Sequence, residues 1–386
     1  MFSSRFHWDF RPNRLARMLA AKKRAGERLL DLTESNPTRA GIEYPPEILA
    51  AFEDPDMLAY DPSPAGALRA REGVAAYYAA RGERVEPERI LLTASTSEAY
   101  AYLFKLLADP GERVLVPRPS YPLFEFLGAM ESVETSPYPL VYHGGWSIDL
   151  DALAGAISSR TRAVTLVNPN NPTGSYVKRF ELQRLARLCA ERGIAIISDE
   201  VFSDYSFAPD PQRTATLATL DECLTFSLSG LSKVAGLPQM KLGWIVVNGP
   251  ASLRAEAMEK LEWIADTYLS VGTPVQCAAA RLLAAGEQVQ QGIRERTAAN
   301  LAHARAILAG SAATILAVEG GWYIAARLPR IRGEEDWAVD LLELENVNTQ
   351  PGFFYDFESE AYLILSLLTE TAVFQEGVAK LRGFVG

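Results

Sequence analysis

Between residues 89 and 248, short runs of β-branched and aliphatic side chains alternate with longer amphipathic stretches, and this alternation restricts the possible folds more than any other feature. A strand that is apolar on both faces needs two covers, and helices between successive strands supply them. The pattern therefore predicts a mostly parallel sheet flanked by helices. Strands are expected at residues 89–93, 113–117, 163–167, 194–198, 224–229 and 242–248, each closed by a polar or Pro/Gly-rich turn. Upstream lie a helix-like segment at 13–24, a Pro-rich connector at 36–46 and a second helix-like segment at 67–80. Downstream, 256–266 and 275–285 read as helices, and from Gly320 short strands mix with helix, as in a smaller α+β domain.

With 386 residues the chain is long enough for two or three domains or subdomains. Its 38 Lys and Arg against 48 Asp and Glu leave a net charge of −10, so no basic field exists to neutralise a phosphate backbone and nucleic acid is not an expected partner. The three cysteines (Cys189, Cys223, Cys277) are 34 and 54 residues apart without CxxC spacing, which fits reduced thiols in a cytoplasmic protein better than disulfides or zinc. His7, His143 and His303 are scattered, so no metal site is expected and a Ser-His-Asp triad is disfavoured. No long apolar run predicts a membrane span, and no secretory signal is expected. The basic stretch 11–28 has the look of a transit peptide, but Asp9, Glu27 and the run into residues 29–32 favour folded structure.

In open α/β sheets, ligands sit beyond the carboxyl ends of the strands, so side chains just after each strand are the candidates for chemistry. After the first strand come Ser95, Thr96 and Ser97, a hydroxyl-rich turn opening a helix, where free N–H groups and the helix dipole favour an anion such as phosphate. After the third comes the rigid loop 168–174, NPNNPTG, which leaves asparagine amides free. After the fourth come Asp199 and Glu200, and after the fifth Lys233 in a turn of small residues. Tyr121 follows the second strand. Taken singly, each has a plainer reading: an N-cap, a stiff turn, a capped acid, a surface lysine, a core aromatic. Taken together, a phosphate cradle, an amide, an acid and a lysine on one sheet edge match what pyridoxal phosphate requires. The lysine would link to the cofactor aldehyde, the acid would keep the pyridine nitrogen protonated, and the aromatic would stack on the ring.

Three segments carry a resemblance to a known family. Residues 168–174 resemble the NPxNPTG loop of the class I/II aminotransferases, 198–201 (SDEV) resemble their DE strand end, and 230–244 (GLSKVAGLPQMKLGW) resemble their lysine segment. The spacings, 28 residues from Asn171 to Asp199 and 34 from Asp199 to Lys233, are also similar to the family's. The resemblance implies the fold of the fold-type I pyridoxal phosphate enzymes: an α/β large domain with a mostly parallel central sheet flanked by helices, plus a smaller α+β domain. With the element pattern it implies an N-terminal arm and part of the small domain at 1–45, a cofactor-binding domain at 46–285 and the rest of the small domain at 286–386. It also implies an amino group moving between an amino acid and a 2-oxo acid, Lys233 as the catalytic lysine, Asp199 on the pyridine nitrogen, Asn171 on the phenolic oxygen and against substrate, Tyr121 on the ring face, and Ser95, Thr96 and Ser97 on the phosphate. Tyr60 resembles the tyrosine that reaches a neighbouring subunit's phosphate, which implies a homodimer.

Three positions depart from the family pattern. Phe202 replaces a tyrosine and cannot hydrogen-bond. Lys241 replaces a phosphate-binding arginine with a point charge. Ile364 stands where the family clamps the substrate α-carboxylate with arginine. Arg39 is the expected substitute, with Arg118 and Arg327 behind it, although a solvated loop charge is the alternative for Arg39. Trp322 is expected either in the substrate pocket or in the core. A lyase or decarboxylase on the same scaffold, and a non-catalytic binding module, are the competing functions. The module reading is disfavoured by the negative charge and by the absence of an N-terminal DNA-binding domain. A Ser/Lys hydrolase is excluded because Gly230 stands three residues before Lys233.

Overall fold

The computed structural model describes residues 2–6, 8–359 and 361–386; His7 lies outside them. All six expected strands form, with ends shifted by at most two residues: β1 (Ile90–Thr93), β2 (Arg113–Arg118), β5 (Thr161–Val167), β6 (Ala195–Asp199), β7 (Thr225–Gly230) and β8 (Gly243–Asn248). Two further strands, β3 (Glu134–Tyr142) and β4 (Trp146–Ile148), complete an eight-stranded sheet of order β1-β8-β7-β6-β5-β2-β3-β4. Pro137 and Pro139 hide β3 from a sequence reading, since proline lacks the ladder N–H. Both lie beside the stretch where β4 pairs only with residues 140–142, so β3 is there the edge of the sheet. β2, β3, β5, β6 and β7 run parallel, whereas β8 is antiparallel to both of its neighbours.

The strands bury both faces by alternation. Leu91, Val114, Ile197, Phe226, Leu228 and Ile245 pack against helices Thr96–Leu107 and Ala251–Asp266. The intervening residues face the other way: Leu115, Val164 and Ile196 toward helix Arg179–Arg192, and Leu92, Trp244 and Val246 toward helix Leu68–Ala79. The smaller sheet, ordered β9-β10-β12-β11, comprises β9 (Thr314–Ile315), β10 (Tyr323–Arg327), β11 (Gln350–Pro351) and β12 (Tyr362–Ser366). Leu30 and Asp31 pair in parallel with Val347 and Asn348, which ties the N-terminal segment to this smaller body.

The helix expected at 275–285 is much longer, a single run over Thr273–Leu308. Residues 275–283 pack with helix Leu68–Ala79, whereas Leu301, Ala304 and Leu308 join the core of the smaller body. The division expected at residue 285 thus falls inside one continuous helix, near the point where its buried face changes partner. None of the described helices is long and apolar enough to cross a membrane, and no cluster of described residues has the composition of a metal site.

Candidate active site

Because β8 is antiparallel, its amino end meets the carboxyl ends of β1 and β7: Gly243 pairs with both Thr93 and Gly230. The turns after β1, β2, β5, β6 and β7 therefore converge on one edge. There a cavity of about 410 Å³ opens, lined by Ser95, Thr96, Ser97, Tyr121, Asn171, Asp199 and Lys233 among others. Seven residues singled out in sequence thus meet in one space.

Lys233 sits in the short helix Leu231–Val234 that follows β7 directly. Gly230 permits this turn, because a Cβ there would come within 2.9 Å of the Gly243 Cα and the Leu242 carbonyl oxygen. Tyr205 Oη donates to the Lys233 carbonyl at 2.5 Å and Gln290 Nε2 to the Val234 carbonyl at 2.7 Å, so the two carbonyls from the lysine onward are held. The Lys233 amine lies 5.3 Å from the Trp322 ring centre and 5.9 Å from that of Phe202. Burial lowers its pKa, opposed by the charge of Asp199.

Successive strand residues face opposite sides, so Asp199 looks into the cavity while Glu200 looks away. Glu200 is satisfied by Thr216 Oγ1 at 2.5 Å, the Leu217 N–H at 2.8 Å and Ser227 Oγ at 3.2 Å. Asp199 accepts from the Val201 N–H at 3.2 Å and from Tyr100 Oη at 3.3 Å. Burial pushes Asp199 up to about 6 against these bonds and the Lys233 charge. A cationic partner in the cavity would reverse that shift.

Ser95 caps helix Thr96–Leu107: its Oγ accepts from the Glu98 N–H at 3.2 Å, and the Glu98 carboxylate accepts from the Ala94 N–H at 2.6 Å. Thr96 and Ser97, first-turn residues whose N–H groups have no intrahelical acceptor, line the cavity at the positive end of the helix. Asn171 is buried, and its Oδ1 has no hydrogen-bond partner. An anion-binding helix end, an unpaired amide, a buried acid and a buried amine fit pyridoxal phosphate in the roles given above.

Other candidates stand apart. Lys241 is exposed, with φ of 52°, immediately before the cavity residues Leu242 and Gly243. Tyr60 is 77% exposed and borders a separate, shallow depression near Ser270. Arg39 and Arg327 are exposed and do not line the cavity; Arg118 lies 3.9 Å from both Asp356 and Glu358. Trp322 is fully buried, behind Lys233 and edge-on to Phe202 and Tyr205, so it supports the lysine rather than lining the pocket. The sequence reading missed Tyr100, although it stands three residues after Ser97 and so on the same helix face. Ser35, Tyr323, Gln350 and Tyr355 also line the cavity; they come from distant segments and carry no local signal.

The family model described as aminotransferase class I and II matches residues 27–373. Glutamate–pyruvate aminotransferase of Escherichia coli (strain K12) is 30% identical over 271 residues, which are 69% of this chain and 66% of that relative's length. An S-alkyl-thiohydroximate lyase of Arabidopsis thaliana is 26% identical over 335 residues, 83% of this chain and 71% of the relative. Among solved structures, alanine aminotransferase from Pyrococcus furiosus superposes with a TM-score of 0.90 at 21% identity, covering 100% of this chain and 99% of that one.

Proposed function

The chain belongs to the class I and II aminotransferases, and from that premise we propose that it is a pyridoxal phosphate-dependent transaminase. It moves an amino group from a primary amine donor to a carbonyl acceptor, the resemblance implying an amino acid and a 2-oxo acid. The observation that carries this reading is the meeting of Lys233, Asp199, Asn171 and the Ser95–Thr96 helix end in one cavity.

When bound, the cofactor supplies an electron-withdrawing ring that stabilises the charge developing on the substrate's amine-bearing carbon. Asp199 holds the proton on the ring nitrogen, and its raised pKa falls back once that cation faces it. Asn171 would hold the phenolic oxygen and the edge of the substrate, Tyr121 would cover the ring face, and Ser95, Thr96, Ser97 and Lys241 would hold the phosphate. Lys233 would hold the cofactor through its amine, and its Nζ would move the proton of the substrate carbon. Burial suits it to this task, because it shifts the balance toward the neutral amine. We also propose a homodimer working in the cytoplasm, in which the exposed Tyr60 reaches the other subunit's phosphate.

A nitrogen-15-labelled donor tests the reading: the label should appear in the amine formed from the acceptor, in step with the carbonyl formed from the donor. Release of labelled ammonia or of carbon dioxide instead would favour a lyase or decarboxylase, a reading kept in view by the lyase among the relatives.

A further inference from the structure

Part of the cavity wall is built from Ser35, Tyr121, Tyr323, Gln350 and Tyr355, all uncharged and all able to hydrogen-bond. The smaller sheet contributes no cation there. Ile364 in β12 is 1% exposed, lies between Ala325 and Gln350 in that sheet, and packs against Trp146, Leu316 and Tyr355. Lys233 is the only cation among the residues lining the cavity, and it is committed to the cofactor. Arg118, three residues before the cavity residue Tyr121, already has two carboxylates 3.9 Å away.

We propose, as a refinement that rests on the amino-transfer reading, that the donor carries a hydroxymethyl or carboxamide group on its amine-bearing carbon where an amino acid carries its carboxylate. A carboxylate brought to this wall gives up its water and finds no positive charge, whereas a hydroxyl or amide exchanges water for phenol, serine and amide partners of equal standing. Tyr355 Oη donates to Gln350 Oε1 at 2.5 Å, which leaves the Gln350 amide N–H groups to donate and the Tyr355 oxygen to accept. The three phenols stay neutral, because burial raises Tyr121 and Tyr355 and pushes Tyr323 up to about 12.

The reaction balances as for any transamination. The donor carbon loses its nitrogen and a hydrogen and gains a carbonyl oxygen from water, a two-electron oxidation. The second half reduces an aldehyde or ketone with the same uncharged neighbour group to the amine and returns the water.

The test uses the cofactor-loaded protein and two amines of one skeleton, 2-methylalanine and 2-amino-2-methylpropan-1-ol. Neither has a hydrogen on its amine-bearing carbon, so each can displace Lys233 but gives up no proton there, and the shift of the visible band, read while no carbon dioxide is released from the acid, reports binding. The alcohol should bind at least about tenfold more tightly, the factor forfeited when a charge-assisted contact is missing. Tyr355→Phe and Gln350→Leu should each narrow that ratio toward one. Equal or tighter binding of the acid, or a ratio unmoved by both variants, overturns the inference and leaves amino transfer standing. If neither amine perturbs the band of a protein whose cofactor is fixed on Lys233, amino transfer fails as well.

Discussion

Replacing Asp199 with asparagine should damage function while stabilising the cofactor-free protein. An aspartate is ordinarily half-protonated near pH 4; burial in the cavity pushes Asp199 up to about 6. Below pH 4 the group is protonated in both the folded and unfolded chains and contributes nothing. As pH rises to 6 the unfolded chain gives up its proton first, so stability falls, and above pH 6 the full cost remains. A shift of about two units corresponds to roughly 3 kcal/mol. Asparagine escapes that cost but loses roughly 1 kcal/mol because its amide nitrogen cannot accept the Tyr100 hydroxyl hydrogen. Urea denaturation of cofactor-free Asp199→Asn at pH 8 should therefore show a gain of about 2 kcal/mol, falling to roughly 0.5 kcal/mol at pH 5. With cofactor supplied, transamination should drop by at least about a hundredfold, as expected when a directed charge is removed from a developing one. A variant less stable than the parent by the same margin at both pH values would refute the reasoning.

Further outcomes follow from the packing around the lysine and the phosphate cradle. In Gly286→Ala the new Cβ would fall 2.3 Å from the Ala235 Cβ, forcing helix Thr273–Leu308 away from the lysine turn. Thermal denaturation should register a loss of about 1–3 kcal/mol, and cofactor binding should weaken with it. Tyr205→Phe removes the hydroxyl held by the Lys233 carbonyl; it should cost about 1 kcal/mol in urea and lower kcat more than it raises KM. Ser95→Ala removes the cap of helix Thr96–Leu107, so stability should fall by about 1 kcal/mol and equilibrium dialysis should show weaker cofactor binding.

The architecture was legible where one physical requirement acted on contiguous residues. Strands β5 to β7 had to be apolar on both faces, and their polar carboxyl ends had to lie on one edge, so Asn171, Asp199 and Lys233 could be placed together from the pattern alone. β3 was hidden because edge position tolerates Pro137 and Pro139. The long helix was cut short because the buried face that extends it past 285 meets a second core, and a sequence does not say which core a residue will meet. The substrate wall was invisible for the same reason: Ser35, Tyr323, Gln350 and Tyr355 arrive from opposite ends of the chain and meet only through the smaller sheet and the loop over it. Arg39, expected in the pocket from its loop, is exposed, and Trp322 turned out to back the lysine.

The central claim is that Lys233 is the residue that takes the cofactor. Incubation with pyridoxal phosphate, reduction with borohydride and peptide mass spectrometry test it most directly. The account predicts a cofactor-derived mass on the peptide containing Lys233, a visible band before reduction, and loss of both in Lys233→Ala with the fold intact by circular dichroism. Modification of another lysine, or a visible band that survives in Lys233→Ala, would contradict it.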